Sequence, residues 1–323
     1  MAVVLITGAA GFVGANLVRR LIADGHDVHA VTRPGSDRWR LEDVRREVHC
    51  HDLDLTDFDA VAGICHDTRP AWILHLAAYG AYSSQTDARR MVATNIMGTL
   101  GLVQAALQVG FEAFVNTGSS SEYGFQDHAP RESEPIDPNS DYAATKASAT
   151  LLCRSIARRH HLRIQTLRLY SVFGPYEEPA RLMPTLIVRG LRNELPPLVR
   201  PEIAHDYVYI DDVTEAYIRA ATEARQEPGE IYNVGSGTQT SIREVVEMAQ
   251  RVLDITAVPN WQSMADRPGD TDVWVANRSR ILERLGWQPR NSLEAGFRSM
   301  VLWFLTHPDH LARYAERMNR LPT

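Results

Sequence analysis

An α/β fold with a doubly wound parallel sheet is predicted by three observations. Short apolar runs alternate with amphipathic helical stretches through the first half of the chain. A glycine-rich segment, Gly8 to Gly14, falls at the first junction between such a run and a helical stretch. After Arg168 the alternation breaks, and Gly174, Pro175, Pro179, Pro184 and the Pro196–Pro197 pair punctuate the chain.

The runs at Val3–Thr7, Val28–Thr32, Glu47–His51, Ile73–Leu76, Phe114–Thr117 and Ile164–Arg168 read as strands. Helices are expected near 12–24, 57–67, 87–109 and 141–160, where apolar residues recur at three- and four-residue spacing. Further on, a strand is expected at Tyr207–Ile210, followed by helices at Asp212–Ala224, near 241–253 and from about 292. No internal repeat or low-complexity tract interrupts the 323 residues.

Composition narrows the class. With 44% hydrophobic residues and a mean hydropathy of -0.25, the chain reads as a soluble globular protein large enough to bury a sizeable core. A net charge of -6 gives no reason to expect nucleic-acid binding, and the basic strip from Arg154 to Arg163 reads as a solvated helix face. Cys50, Cys65 and Cys153 are scattered, odd in number and without metal-ligand spacing, which fits a reducing cytoplasm and no bound metal. No basic leader precedes the first apolar run, and no later stretch reads as long enough to span a membrane.

The segment Thr7 to Gly14 follows a strand and opens a helix. Gly8 serves a tight turn, Gly11 a close backbone approach to a pyrophosphate, and Gly14 close helix–strand packing; the helix start at Phe12 and Val13 offers free N–H groups to the phosphates. The end of the second strand separates NAD from NADP, because an NAD site places a carboxylate there for the ribose 2′-hydroxyl. This chain has Thr32 and then Arg33, with Arg38 and Arg40 nearby, so NADP(H) is favoured and NAD(H) remains possible. Asp54 and Leu55 are candidates for the adenine, and the small residues after His75, in Leu76–Ala77–Ala78, leave room for a cofactor against the sheet edge. His75 itself reads as a core histidine.

The catalytic signal is a contrast in cations. The chain has 33 arginines and one lysine, Lys146, which stands four residues after Tyr142. Arginine substitutes for lysine wherever a positive charge suffices, but not where chemistry needs a compact ammonium. At i and i+4 both side chains lie on one helix face, where the ammonium is expected to depress the phenol and ready it for proton transfer.

Together these segments resemble the extended short-chain dehydrogenase/reductases that act on nucleotide sugars. The resemblance runs through Thr7–Gly14, Asp54–Leu55, His75–Ala78, Asn95 with Gly98 and Thr99, Gly118–Gly124, Tyr142–Lys146, Val172–Pro175, Asp206–Asp212, Asn233–Gly237, Arg267–Gly269 and Leu285–Trp287. It implies a Rossmann domain over 1–172 plus about 207–234, a smaller α+β substrate domain over 173–206 and 235–323, and a homodimer pairing the helices near 87–109 and 141–160. It also implies catalysis by Ser119, Tyr142 and Lys146, with Lys146 holding the nicotinamide ribose. Substrate contacts would come from Tyr79, Ser120, Ser121, Ser171, His205 and Arg267.

Departures from the family pattern narrow the reaction. Related 4,6-dehydratases carry an Asp–Glu pair after the catalytic Ser/Thr; here Ser120 and Ser121 occupy those places, and Glu122 comes one residue late. Ser171 stands where an asparagine is usual and His205 where an arginine is usual. The leading expectation is an NADPH-dependent reductase of a nucleotide-linked 4-keto-(6-deoxy)hexose. A 4-epimerase that retains NAD is the alternative, and a non-catalytic NADP-binding sensor or scaffold a distant third.

Overall fold

The structure is a computed structural model and describes residues 1–82, 84–223, 227–266 and 271–319. Its main sheet contains β1 (Val3–Thr7), β2 (Asp27–Thr32), β3 (His49–Asp52), β4 (Trp72–His75), β5 (Ala113–Ser119) and β6 (Ile164–Leu169). After β7 (Ser171–Phe173) and β8 (Ala204–Tyr209), the chain returns to this sheet with β9 (Ile231–Val234); β10 (Gln239–Ser241) follows. The order is β3-β2-β1-β4-β5-β6-β9 and every pairing is parallel. This is a Rossmann arrangement, and the direction of winding reverses between β1 and β4.

Strand alternation explains why both faces are covered. Val4, Ile6, Leu74 and Val115 point to one side, where Leu17 and Leu21 of the helix Phe12–Ala23 and Ala216 and Ala220 of the helix Ile210–Thr222 meet them. Leu5, Ile73 and Phe114 point to the other, against Val61, Leu102, Val103 and Ile156 of the helices Phe58–Thr68, Ala88–Val109 and Asp141–His160. Side-chain caps mark several of the helix starts: Asp57 accepts from the Ala60 amide at 3.1 Å and Ser140 from the Ala143 amide at 3.2 Å.

The strand expected at Tyr207–Ile210 begins earlier, at Ala204, and passes directly into a helix at Ile210. It lies in a separate three-stranded sheet, β10-β8-β7, whose pairings are parallel between β7 and β8 and antiparallel between β8 and β10. Around it a third apolar cluster gathers Phe173 of β7 with Ile187, Val246, Phe297, Phe304 and Tyr314 from the later helices. Trp39 joins this cluster from the segment after β2, which ties the nucleotide half to the C-terminal elements. The expectation about membrane spans needs a correction: Ala88–Val109, 22 residues long, is apolar enough by length and composition to cross one. In the structure it is a core helix of the sheet, with Leu102, Val103, Ala105 and Ala106 buried.

Candidate active site

Five strands deliver the site from their C-terminal ends: Thr7 from β1, Thr32 from β2, Asp52 from β3, His75 from β4 and Ser119 from β5. Gly8 has φ +70°, and a Cβ there would lie 2.6 Å from the Ala77 amide nitrogen, so only glycine lets the turn pass the end of β4. A Cβ on Gly14 would collide with the Gly8 carbonyl oxygen. The helix that follows has no side-chain cap and no acid in its first turn, leaving the amides at Phe12 and Val13 available to an anion. These features fit a dinucleotide pyrophosphate. Leu76 and Ala77 lie against the same turn, and their amides bond back to the Thr7 carbonyl and hydroxyl at 3.1 and 3.3 Å.

His75 is fully engaged. Its ring nitrogens contact the Thr7 and Thr99 hydroxyls at 2.7 and 2.8 Å, and burial, with Lys146 nearby, lowers its pKa to about 3. It is therefore a neutral core residue.

The ribose edge differs from the sequence reading at two arginines. Arg40 is buried and bonds the Tyr176 carbonyl at 2.7 Å and Glu178 at 3.1 Å, so it is spent on the C-terminal elements. Arg38 forms an ion pair with Asp52. Asp52 stands opposite Thr32 in the strand register and accepts from its hydroxyl at 3.3 Å. A carboxylate therefore does reach this edge, from β3 instead of β2; Arg33 is exposed beside it. Asp54 is partly committed: one carboxylate oxygen accepts from the Thr56 amide at 3.0 Å and hydroxyl at 2.8 Å, which holds its pKa below the usual range. Leu55 packs in the core.

Tyr142 occupies the second position of the helix Asp141–His160, and Lys146 lies one turn on, 3% exposed. The Ser119 side chain lies near enough to Tyr142 to favour its ionised form. The three candidate catalytic residues are thus assembled from β5 and one helix. Burial holds Lys146 below its ordinary pKa, opposed by Glu122 and Cys153. Its ammonium makes no hydrogen bond or ion pair among the described residues, so a buried cation is left ready for a hydroxylated ligand.

The expectation for the phenol is reversed in this state. Burial, followed by the Glu122 charge, pushes Tyr142 up to about 12, and the lowering influences of Ser119 and Arg181 are smaller. A buried phenolate loses its hydration, and the Glu122 carboxylate repels it further. Tyr142 therefore keeps its proton at neutral pH.

Glu122 itself is locked. One oxygen accepts from the Ser119 amide at 2.8 Å and the Thr150 hydroxyl at 3.0 Å; the other accepts from Arg168 at 2.8 Å. The Ser119 and Ser121 hydroxyls are 2.7 Å apart, and Ser120 accepts from the Trp274 indole at 3.1 Å. Ser171 opens β7, while His205 lies in β8 with its ring against Tyr207. Tyr79 is held by the Asn95 side chain through both its amide and its carbonyl, at 2.8 Å each, and Asn95 also reaches the Thr145 hydroxyl at 2.9 Å. Arg267 lies outside the described residues.

Sequence reasoning missed Asp52, Trp274 and the positioning role of Asn95. Pairing β3 with β2 in register would have found Asp52 opposite Thr32. Asn95 lay within a matched segment, in what proves to be a π-helical turn, Val92–Gly98. Nothing local to Trp274 points to its contact.

The comparisons with known proteins agree with this geometry. Residues 4–235 match the model of the NAD dependent epimerase/dehydratase family. The chain belongs to that family. It is 29% identical to the dTDP-glucose 4,6-dehydratase 1 of Escherichia coli, across 94% of this chain and 93% of that one. It is 30% identical to the UDP-glucose 4-epimerase of Mycolicibacterium smegmatis, across 93% and 97%. Among solved structures, the Thermotoga maritima UDP-glucose 4-epimerase with UDP-glucose superposes with a TM-score of 0.86 at 27% identity, covering 95% and 99%. The Thermus thermophilus UDP-glucose 4-epimerase complex with NAD gives 0.83 at 28%, covering 94% and 99%. The protein is accordingly an enzyme of the extended short-chain dehydrogenase/reductase type.

Proposed function

We propose that this protein reduces a nucleotide-linked 4-keto-(6-deoxy)hexose at C4, with NADPH as reductant and Tyr142 as proton donor. The observation that carries the reading is the state of the residues after Ser119. Elimination across C5 and C6 needs an acid and a base there. Ser120 and Ser121 can be neither at neutral pH, and Glu122 is enclosed by Arg168, Thr150 and the Ser119 amide. Hydride transfer at C4 without loss of water is the chemistry left.

The bound nicotinamide would supply the hydride, held through Gly8, Gly11, Gly14 and Lys146. Ser119 donates a hydrogen bond to the C4 oxygen, and Tyr142 gives that oxygen its proton as the carbonyl becomes an alcohol. A phenol pushed up to about 12 starts in the protonated form that a reduction requires. Lys146 steadies the phenolate that results, until solvent reprotonates it. Exposed Arg33, following Thr32, supports recognition of a 2′-phosphate. Substrate contacts are assigned to Tyr79, Ser120, Ser121, Ser171, His205 and Arg267. Exposed Val92, Met97 and Leu151 on the helices Ala88–Val109 and Asp141–His160 support a homodimer through that face.

A second reading, a nucleotide-sugar 4-epimerase that retains NAD, is favoured by Asp52, which brings a carboxylate beside Thr32. The two share Ser119, Tyr142 and Lys146, and the nucleotide separates them. Purified protein is denatured and any released nucleotide identified, while free NADPH and NADH are titrated into a second sample. Little released nucleotide and stronger NADPH binding are expected; stoichiometric NAD would overturn the reductase in favour of the epimerase.

A further inference from the structure

Away from the nucleotide site, the edge of the main sheet carries a cluster of metal-ligating side chains. Asp27 and His29 lie two residues apart on β2, so they share one face; His49 and His51 lie on β3, and His29 pairs with His49 in register. One ligand atom from each of Asp27, His29 and His49 falls within 4.8 Å of the other two. The Asp27 carboxylate bridges the two rings, with one oxygen 3.7 Å from His29 Nε2 and the other 3.4 Å from His49 Nε2. The remaining nitrogen of His29, Nδ1, is 2.9 Å from His51 Nε2.

We propose that Asp27, His29 and His49 form a binding site for one divalent transition-metal ion of the zinc class, with His51 orienting His29 from behind. A metal-bound imidazole characteristically engages its second nitrogen with a hydrogen-bond partner, which fixes the tautomer; His51 does this for His29. Two imidazoles and one carboxylate suit zinc and its neighbours and disfavour calcium and magnesium, which prefer all-oxygen shells. Tetrahedral zinc with bonds of about 2.0–2.1 Å sets its ligand atoms roughly 3.3 Å apart. The Asp27 oxygens stand 3.7 and 3.4 Å from the two rings and the set spans up to 4.8 Å, so exposed His49 has to rotate inward to close the site.

Location gives the ion a structural purpose. Asp27 and His49 open β2 and β3, whereas the nucleotide edge is formed by the last residues of those strands, Thr32 and Asp52. The ion would clip the short edge strand β3 to β2 without entering the reaction.

The test uses the full chain without a histidine tag, stripped with a chelator and titrated with zinc chloride against a chromogenic competitor. One zinc per chain is expected, with micromolar or tighter affinity and a raised melting temperature. Asp27→Asn and His49→Ala should each weaken binding at least about tenfold and cancel the thermal shift, and His51→Ala should weaken it about tenfold while keeping the stoichiometry. Cys50→Ser should change nothing. No saturable site, full affinity in both first-named variants, or loss of zinc in Cys50→Ser would each overturn the proposal.

Discussion

Glu122 and Arg168 form an ion pair 2.8 Å apart, with side chains 0% and 2% exposed, directly beneath Ser119. The Arg168 guanidinium also lies over the Tyr123 ring, 4.4 Å from its centroid. The pair sets the height of the Ser119 amide, and through it the hydroxyl that meets Tyr142. Removing one partner strands the other charge in the interior. Glu122→Ala should therefore destabilise the fold by roughly 3–5 kcal/mol in chemical denaturation. Glu122→Gln, which keeps one acceptor oxygen, should lose less stability while lowering kcat.

Under the proposed reduction, Tyr142→Phe removes the proton donor and keeps the ring. Turnover should fall at least about 100-fold, with cofactor affinity nearly unchanged by fluorescence titration. Lys146→Arg should also cripple turnover, because a guanidinium cannot fit a 3% exposed site made for an ammonium. Subtracting the ultraviolet pH titration of Tyr142→Phe from that of the wild type should show no Tyr142 phenolate forming near neutrality, since burial holds this phenol at about 12. A phenolate appearing near pH 7 without cofactor would contradict the donor role.

In the proposed function, opposing charges at the ends of β2 and β3 set the choice of cofactor. Arg33→Ala should weaken NADPH by about 1.5–3 kcal/mol, or roughly 10- to 150-fold, and leave NADH less affected. Asp52→Asn removes the repulsion of a 2′-phosphate and also releases Arg38, so the ratio of NADPH to NADH affinity should rise. Equal losses for both nucleotides in Arg33→Ala would remove its selective role.

Glu177 offers a pH signature in stability. It is buried, one of its oxygens has no partner among the described residues, and burial pushes its pKa up to about 8. Its folded pKa exceeds its unfolded one, so its contribution is fully present below about 4.5. That contribution is lost as pH rises through about 8. Glu177→Gln should flatten the dependence of Tm on pH across this window and leave the variant more stable than the wild type at alkaline pH.

What could be read along the chain and what could not divide by the range of the interactions involved. Both ends of β1 and of the helix Asp141–His160 were legible, because strand alternation and four-residue helical spacing are local. So were the glycine turn and the placing of Tyr142 and Lys146 on one helix. The helix Leu182–Gly190 was hidden by its proline and β7 by its three-residue length.

The sequence by itself determined the parallel sheet, the glycine turn after β1 and the placing of Tyr142 and Lys146 on one helix. Tertiary structure alone decided that Arg40 is spent on Tyr176, 136 residues away, and that Trp274 reaches Ser120 across 154. It also decided that Asp52 arrives beside Thr32, that Glu122 is locked by Arg168, and that the phenol keeps its proton. Each of these depends on which strands become neighbours and how deeply a charge is buried, and both follow from the packing of distant segments.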